Sequence, residues 1–449
     1  MIFFDYNPEK GLHMSAIQTL ILRPQYTKQL EAWRDKSDVI KVITGIRRCG
    51  KSTLFQLFQT DLFLGHGVSD AQVQQINFED ANFSDLLDWK KLHDHILKNV
   101  VPGKMNYVFL DEIQNVEHFE KAINSLRLRK NIDIYITGSN SKMLSGELAT
   151  LLSGRYITIH MQPLSFSEYV MAYNVHQVGM WTATTREEFL NPRHNNINSM
   201  FQDYLHNSSF PYTVQLLKFA RTNIPYNEPI ASEQVRQFLS GILDTIVLKD
   251  IVERKKIKDV ARLKRVIKFM FDNIGRETSL LKIKTSLETD AGIKIDSATI
   301  DSYVESLLDT FVMYKADRYD IKGKQLLKTN SKYYVADMGL RYMLLGREGD
   351  DGHILENIVY LELLRRDYQV YVGKLDSYEI DFVAKKNGTT EYYQVSQTVL
   401  NPDTLERELR SLDKIDDHNP KFLITMDTPF RNEYNGIKVV NALDWLLNI

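Results

Sequence analysis

The segment Gly45-Ile46-Arg47-Arg48-Cys49-Gly50-Lys51-Ser52-Thr53 satisfies the pattern Gly-x-x-x-x-Gly-Lys-Ser/Thr in full. It constrains the fold more than any other stretch, because the pattern works only where a buried strand runs into a glycine loop and a helix starts at once. The flanks meet both demands. Val39-Ile40-Lys41-Val42-Ile43-Thr44 is a β-branched run suited to a buried strand, and Ser52–Thr60 is compatible with a helix. Glycines at both ends let the loop N–H groups face an anion, and the helix start adds its partly positive end. In such a loop Lys51 reaches the β- and γ-phosphates of a nucleotide, and the Ser52 hydroxyl joins a Mg²⁺ shell. Residues 45–53 are therefore the expected ATP-binding segment, the alternative being an ordinary strand-to-helix turn. Arg47, Arg48 and Cys49 fill the variable positions and are expected to pack or to be solvated at the loop tip.

The alternation continues downstream. Gln74–Phe78, Tyr107–Leu110, Ile132–Thr137 and Tyr156–His160 read as strands, while Leu86–Val100, Phe119–Arg129 and Lys142–Leu152 have helical spacing. Strands alternating with helices imply a mostly parallel sheet covered on both faces. Residues 15–165 are thus expected to form an α/β domain behind a flexible lead over 1–14, with Met14 an alternative start. From 166 to 275 the spacing is helical. Residues 276–349 show helices near Leu280–Thr289 and Ala298–Asp309, then short strands near Val312–Ala316 and Lys332–Ala336, the order of a winged helix. Residues 350–449 return to an α/β pattern.

A phosphate loop needs a carboxylate for the metal and a group that polarises water. Tyr107-Val108-Phe109-Leu110-Asp111-Glu112 is an apolar strand that ends in both. Asp111 is expected to hold Mg²⁺ through its water shell, and Glu112 to act on the attacking water. The alternative is that the two acids cap the strand and face solvent. Gly138-Ser139-Asn140 ends the next strand. Asn140, favoured over Ser139, either orients water or the γ-phosphate, or belongs to a glycine-assisted turn. Arg155, in Ser153-Gly154-Arg155-Tyr156, either projects towards the nucleotide of a neighbouring subunit in a homo-oligomer or pairs with a local acid at the surface.

Formal net charge is −2, so the overall balance calls for neither nucleic acid nor an anionic membrane, although distribution can differ locally. Arg254–Lys268 holds eight basic residues and one acid, Asp259. This is either a footprint for DNA phosphates or a solvated face with Val260, Leu263, Val266 and Ile267 turned inward. Cys49 is the sole cysteine, which excludes an internal disulfide and a cysteine-based zinc site. No apolar run approaches the roughly 18 residues of a membrane span, and the N-terminus lacks the apolar stretch of a signal peptide. A cytoplasmic location with no membrane partner is expected.

On these residues the N-terminal half resembles AAA-type P-loop ATPases. GIRRCGKST, YVFLDEI, YITGSNS and LLSGRYITIHMQPLSFSEY carry the resemblance. It implies an AAA-type P-loop NTPase sheet and places Arg155 where that superfamily commonly has an arginine finger. The whole chain is similar to a prokaryotic family that joins this ATPase to a C-terminal domain of unknown function, through Asn207–Pro211, Lys332–Leu340 and the region 356–398. Asn207-Ser-Ser-Phe-Pro211 departs from relatives, which often have a glycine pair before Phe-Pro, so the turn there is open.

Residues 356–396 are similar to the PD-(D/E)xK nuclease pattern, with Glu356 on a helix and Glu379-Ile-Asp381 on a strand. Gln394 stands at the usual glutamate place and Ser396 at the usual lysine place. Neither replaces the charge it would need, so a nuclease-like domain that does not cut DNA is expected. An ATP-coupled Mg²⁺ nuclease is the runner-up, and a nucleotide-gated binding protein with negligible turnover the third reading. Glu356, Glu379 and Asp381 are alternatively surface acids on amphipathic elements. A DNA or protein partner is expected at the winged-helix-like and C-terminal domains.

Overall fold

The computed structural model describes residues 20–139, 152, 154–174, 197–222, 228–291, 295–346 and 351–448. The lead over 1–14, most of the helix expected at 142–152, and Asn140 lie outside the described residues.

Five strands, β1 (Ile40–Thr44), β2 (Val73–Asn77), β3 (Asn106–Asp111), β4 (Ile132–Gly138) and β5 (Tyr156–His160), form one sheet in the order β2-β3-β4-β1-β5. Every pairing is parallel, as the crossover pattern requires. Side chains alternate between two cores. Ile43, Tyr107, Phe109 and Tyr135 face helix Lys51–His66, where Phe109 stacks on Tyr135 at 4.8 Å and meets Phe55 edge-on at 5.0 Å. Ile40, Val42, Val108, Leu110, Ile134 and Ile136 face the other way, into a core shared with helices Trp89–Lys98 and Phe119–Arg127. Because β1, β3 and β4 are buried along their whole length, their carboxyl ends are held rigidly at one edge.

Helices Phe166–Asn174, Ile197–His206, Pro211–Thr222 and Glu228–Thr245 follow, the last running into a π-helical stretch, Ile246–Glu253. Helices Val260–Asp272, Leu280–Ala291 and Ser297–Asp309 then lead to the hairpin β6 (Met313–Asp320) and β7 (Gln325–Val335). Leu263, Val266 and Ile267 point inward as expected. The hairpin is longer than the short strands read at 312–316 and 332–336, and it does not end as a free wing. β6 pairs in parallel with β8 (Gln369–Leu375), with Arg318 opposite Val372. The hairpin thereby joins β9 (Tyr378–Lys386), β10 (Thr389–Ser396), β11 (Lys421–Thr425), β12 (Glu433–Tyr434) and β13 (Ile437–Asn441) in an eight-stranded sheet, so residue 350 does not divide the sheet. Local spacing cannot foresee this, because strand pairing across 30 or more residues of chain leaves no periodic mark.

Two of the family segments outside the phosphate loop, Asn207–Pro211 and Lys332–Leu340, meet each other. Ser209 donates from both its N–H and its hydroxyl to Asp337 Oδ2, each at 2.6 Å. Asp337 also caps helix Met338–Leu345 through Leu340 N–H at 3.0 Å. Ser208 takes a φ of +78°, a left-handed turn that glycine adopts without strain. Ser208 therefore makes the turn here without a glycine. Gly339 faces this turn so closely that a Cβ would lie 2.4 Å from Ser208 Cβ and 2.6 Å from its Cα. A further contact joins the sheets, His160 Nε2 to the Tyr314 hydroxyl at 2.9 Å, with Thr44 Oγ1 on His160 Nδ1 at 3.3 Å. Burial, helped by the nearby Lys51 charge, pulls the His160 imidazole down to about 4.

Two outcomes follow from this packing. Gly339→Ala forces the Ser208 backbone aside and should destabilise the fold by about 1–3 kcal/mol, read as a lower urea midpoint. His160 stays neutral when folded down to about pH 4 but takes a proton near pH 6.5 when unfolded, so stability drops as pH falls through that window. His160→Gln keeps a hydrogen-bonding side chain and should flatten that part of the stability–pH curve in urea titrations.

Candidate nucleotide site and C-terminal acid cluster

β1 hands the chain to Gly45 at a φ of +149°, where a Cβ would lie 2.0 Å from the Met161 carbonyl oxygen. Met161 is fixed there by its own N–H on the Thr44 carbonyl at 2.7 Å. Only glycine fits between β1 and the chain leaving β5. Gly50, also at positive φ, starts helix Lys51–His66. Lys51 is 5% exposed, and its Nζ donates to the Gly45 carbonyl at 3.0 Å and the Ile46 carbonyl at 3.3 Å. The same ammonium lies 3.7 Å from Glu112 Oε1.

Asp111 and Glu112 do not cap the strand in solvent; both are buried. Thr137, at the end of β4, holds them together. Its hydroxyl donates to Asp111 Oδ1 and accepts the Glu112 N–H at 2.9 Å. Burial pushes the Asp111 carboxyl above its ordinary range, partly countered by hydrogen bonds from Ser52 and Thr137. Glu112 sits at φ +54°, a sparsely used region for a residue with a side chain. Ser139 donates to Glu112 Oε2 at 3.2 Å, and the Gln114 amide donates to the same oxygen. Sequence reasoning ranked Ser139 below Asn140 and passed over Thr137; their places at strand ends were the available signal.

The Ser52 hydroxyl and the Asp111 carboxylate, close enough that the hydroxyl favours the charged carboxylate, form a hard-oxygen pair of the type Mg²⁺ prefers. The residues present therefore fit that ion. Arg155 lies elsewhere. It is exposed, and its carbonyl accepts the Ile40 N–H at 3.0 Å, at the amino end of β1. The loop leaves the carboxyl end of that strand, about 16 Å away. Within one chain Arg155 does not reach the nucleotide loop.

Arg47 is neither solvated nor merely packed. Its guanidinium grips Asp250 on the π-helical stretch through Nε at 2.6 Å and Nη2 at 2.9 Å, and reaches Glu79 through Nη1 at 3.0 Å. Burial opposes its charge, but the hydrogen bonds and charge of Asp250, with Glu79 and Glu112, together outweigh it and raise the guanidinium further. Burial also works against Glu79, yet Arg47 and Lys249 hold it below the usual carboxylate range. No sequence signal pointed to Asp250, which is 203 residues from its partner.

A cleft of about 890 Å³ opens over the loop. One wall is Arg47–Leu54 with Glu112 and Met161; the other is built from helices Pro211–Thr222 and Glu228–Thr245, including Tyr212, Phe238 and Thr245. The rings of Tyr212 and Phe238 lie 4.8 Å apart on that second wall.

In the C-terminal sheet, Glu356 and Asp381 are buried rather than surface acids, and Glu379 is half-exposed. They meet Lys332, delivered by β7, which the nuclease pattern did not single out. Burial, then the Glu356 charge, pushes Asp381 up to about 8. Gln394 is turned to the fold: its Oε1 accepts Asp381 N–H at 3.4 Å and its Nε2 donates to Glu408 at 2.9 Å. The Ser396 hydroxyl donates to the Thr398 carbonyl.

Residues 37–170 match the family described as an AAA domain, and residues 225–351 match a domain of unknown function (DUF8612). An uncharacterized protein of Haemophilus influenzae is 39% identical over 433 residues, covering 96% of this chain and 99% of that one. The uncharacterized protein MJ1544 of Methanocaldococcus jannaschii is 29% identical over 424 residues, covering 91% and 88%. Among solved structures, AMPPCP-bound DnaA from Aquifex aeolicus is similar over 63% of this chain and 86% of that one, with 13% identity and a TM-score of 0.31. Cdc6p from Pyrobaculum aerophilum is similar over 77% and 96%, with 11% identity and a TM-score of 0.29. With its phosphate loop, paired strand-end acids and full-length relative, the chain belongs to the AAA-type P-loop ATPases that carry an additional C-terminal domain of unknown function.

Proposed function

We propose that the chain binds Mg²⁺-ATP in the cleft over residues 45–53, hydrolyses it, and uses nucleotide state to reposition its C-terminal half on a DNA or protein partner. The observation that carries this reading is the double wall of the cleft. Lys51, Ser52 and Glu112 line one side, with Asp111 buried next to Glu112, and helices beyond residue 210 close the other. A nucleotide seated there touches both halves at once, so its arrival or departure has a differential effect on how they sit.

Phosphate oxygens draw the Lys51 ammonium away from the Gly45 and Ile46 carbonyls, which are weaker acceptors. Ser52 and Asp111 would hold Mg²⁺, which when bound would offset the phosphate charge. Glu112 polarises water for attack on the γ-phosphorus, and the bond to the β-phosphate oxygen breaks to give ADP and phosphate. Ser139, and Asn140 beyond it, would orient that water or the γ-phosphate. Arg155, unable to serve its own loop, would act on the nucleotide of a second copy.

The partner reading rests on the stretch after the π-helix. Of the basic residues in 254–268, Arg262 pairs with Asp259, Lys264 with Asp244 and Lys255 with Asp309. Lys256, Lys258, Arg265 and Lys268 stay exposed on the same run, a charge pattern suited to nucleic-acid phosphates. Helices Leu280–Ala291 and Ser297–Asp309 with the hairpin after them support a winged-helix-like reading of the adjoining region.

Mg²⁺-dependent phosphate release and nucleotide binding check the site. Lys51→Ala should lose ATP binding, and Glu112→Gln should bind ATP but turn over about 10²- to 10⁴-fold more slowly. Wild-type protein that binds no ATP removes the reading. Arg155→Ala should lower turnover only at concentrations where the wild type gains activity by self-association. Concentration-independent activity, with the variant unaffected, would remove the role in trans.

A further inference from the structure

We infer that the Lys332 ammonium is the resident cation of the C-terminal acid cluster, and that the nuclease-like domain takes no divalent metal while Lys332 is in place. This goes beyond the ATPase reading and does not depend on it.

A nuclease-like arrangement of Glu356 and Asp381 implies a divalent cation between them, and the residues present do not fit one. Lys332 Nζ lies 2.9 Å from Glu356 Oε1, 2.8 Å from Glu379 Oε1 and 3.7 Å from Asp381 Oδ1, and the lysine is 3% exposed. Its charge thus sits at the point where the three carboxylates converge. The oxygens of Glu356 and Asp381 have further partners as well. Glu356 Oε1 also accepts the Tyr334 hydroxyl at 2.7 Å, and Oε2 meets His353 Nδ1 at 3.2 Å. Asp381 Oδ2 accepts the Val395 N–H at 2.9 Å. Gln394, at the third ligand position, is neutral, and its amide is spent on Asp381 N–H and Glu408.

A hard divalent ion needs about six oxygens and keeps several waters. Here it would have to share buried carboxylates with an ammonium a few ångströms away, and like charges at that distance in a poorly hydrated site repel strongly. The ammonium, by contrast, satisfies the cluster with no dehydration of a metal. It also ties β7 to helix Asp351–Arg365, next to the Val335 N–H and carbonyl that pair with the Asn357 amide at 2.8 and 2.9 Å. The cluster is therefore a strut that ties β7 and β9 to helix Asp351–Arg365.

Mn²⁺ is the probe, used on the full chain without nucleotide, with electron paramagnetic resonance for bound ion and thermal unfolding for its effect. Wild type should bind no Mn²⁺ at this cluster and show no Mn²⁺-dependent rise in Tm. Lys332→Met leaves the carboxylates uncompensated and should lose stability, then gain a Mn²⁺-dependent rise in Tm that Asp381→Asn added to it abolishes. Lys332→Arg keeps a cation and should be as indifferent to Mn²⁺ as wild type. Wild type that binds Mn²⁺ and loses it in Asp381→Asn overturns the inference, as does wild type that nicks supercoiled DNA with Mn²⁺. A folded Lys332→Met no more responsive than wild type also overturns it. If Lys332→Met does not fold, the wild-type titration decides alone.

Discussion

A guanidinium removed from water must find acceptors, and Arg23 finds them on three separate parts of the chain. Its Nε donates to Glu168 at 2.7 Å, Nη2 to the Gln162 carbonyl at 2.9 Å and Nη1 to the Cys49 carbonyl inside the phosphate loop at 3.2 Å. Leaving such a charge unpaired costs several kcal/mol, so the loop, the segment after β5 and helix Phe166–Asn174 are fixed relative to one another. That segment in turn receives Arg365 from the C-terminal domain, whose Nη2 donates to the Pro163 and Leu164 carbonyls. The geometry of the nucleotide loop therefore depends on where the far end of the chain packs. Replacing Arg23 with an apolar residue would leave a buried carboxylate and two carbonyls unserved.

Against this fixed frame, the Arg47–Asp250 pair is the contact able to change. It joins the loop tip to a π-helical stretch, and π-helical geometry is rare and concentrated at functional sites. The stretch leads into the exposed basic run, so the loop tip contacts an element that adjoins that run. Glu79 and Lys249 complete a four-membered charge group at the cleft mouth, partly open to water. Phosphate charge placed nearby competes with Asp250 and Glu79 for the same cations.

Most of the parallel sheet was legible, because each strand is a short β-branched or aromatic run and each connection carries helical spacing. Asp111 and Glu112 were legible for the same reason: a fully buried strand can only deliver its terminal acids to the sheet edge. What escaped were residues defined by contact across the chain. Thr137 needs the register of β4 against β3, Asp250 needs the fold of a helical region 200 residues away, and Lys332 needs β6 to pair with β8. The nuclease comparison looked for a lysine on the strand carrying Ser396, whereas β7 supplies one through space. None of these pairings has a local period, so no window of sequence contains it.

Two of the buried lysines show how partner chemistry separates a binding group from a structural one. Lys51 and Lys332 are almost equally inaccessible, yet Lys51 donates to two neutral carbonyls and stands 3.7 Å from its nearest carboxylate. Its interactions with neutral acceptors are the weaker kind, and an incoming phosphate with several charged oxygens outcompetes them. Lys332 has carboxylate oxygens at 2.8 and 2.9 Å and a third carboxylate behind them. Removing it would strand buried negative charge, so no anion draws it away and no cation easily takes its place. An ammonium held loosely is free to recognise a ligand. One held by three acids has already been given its ligand by the fold.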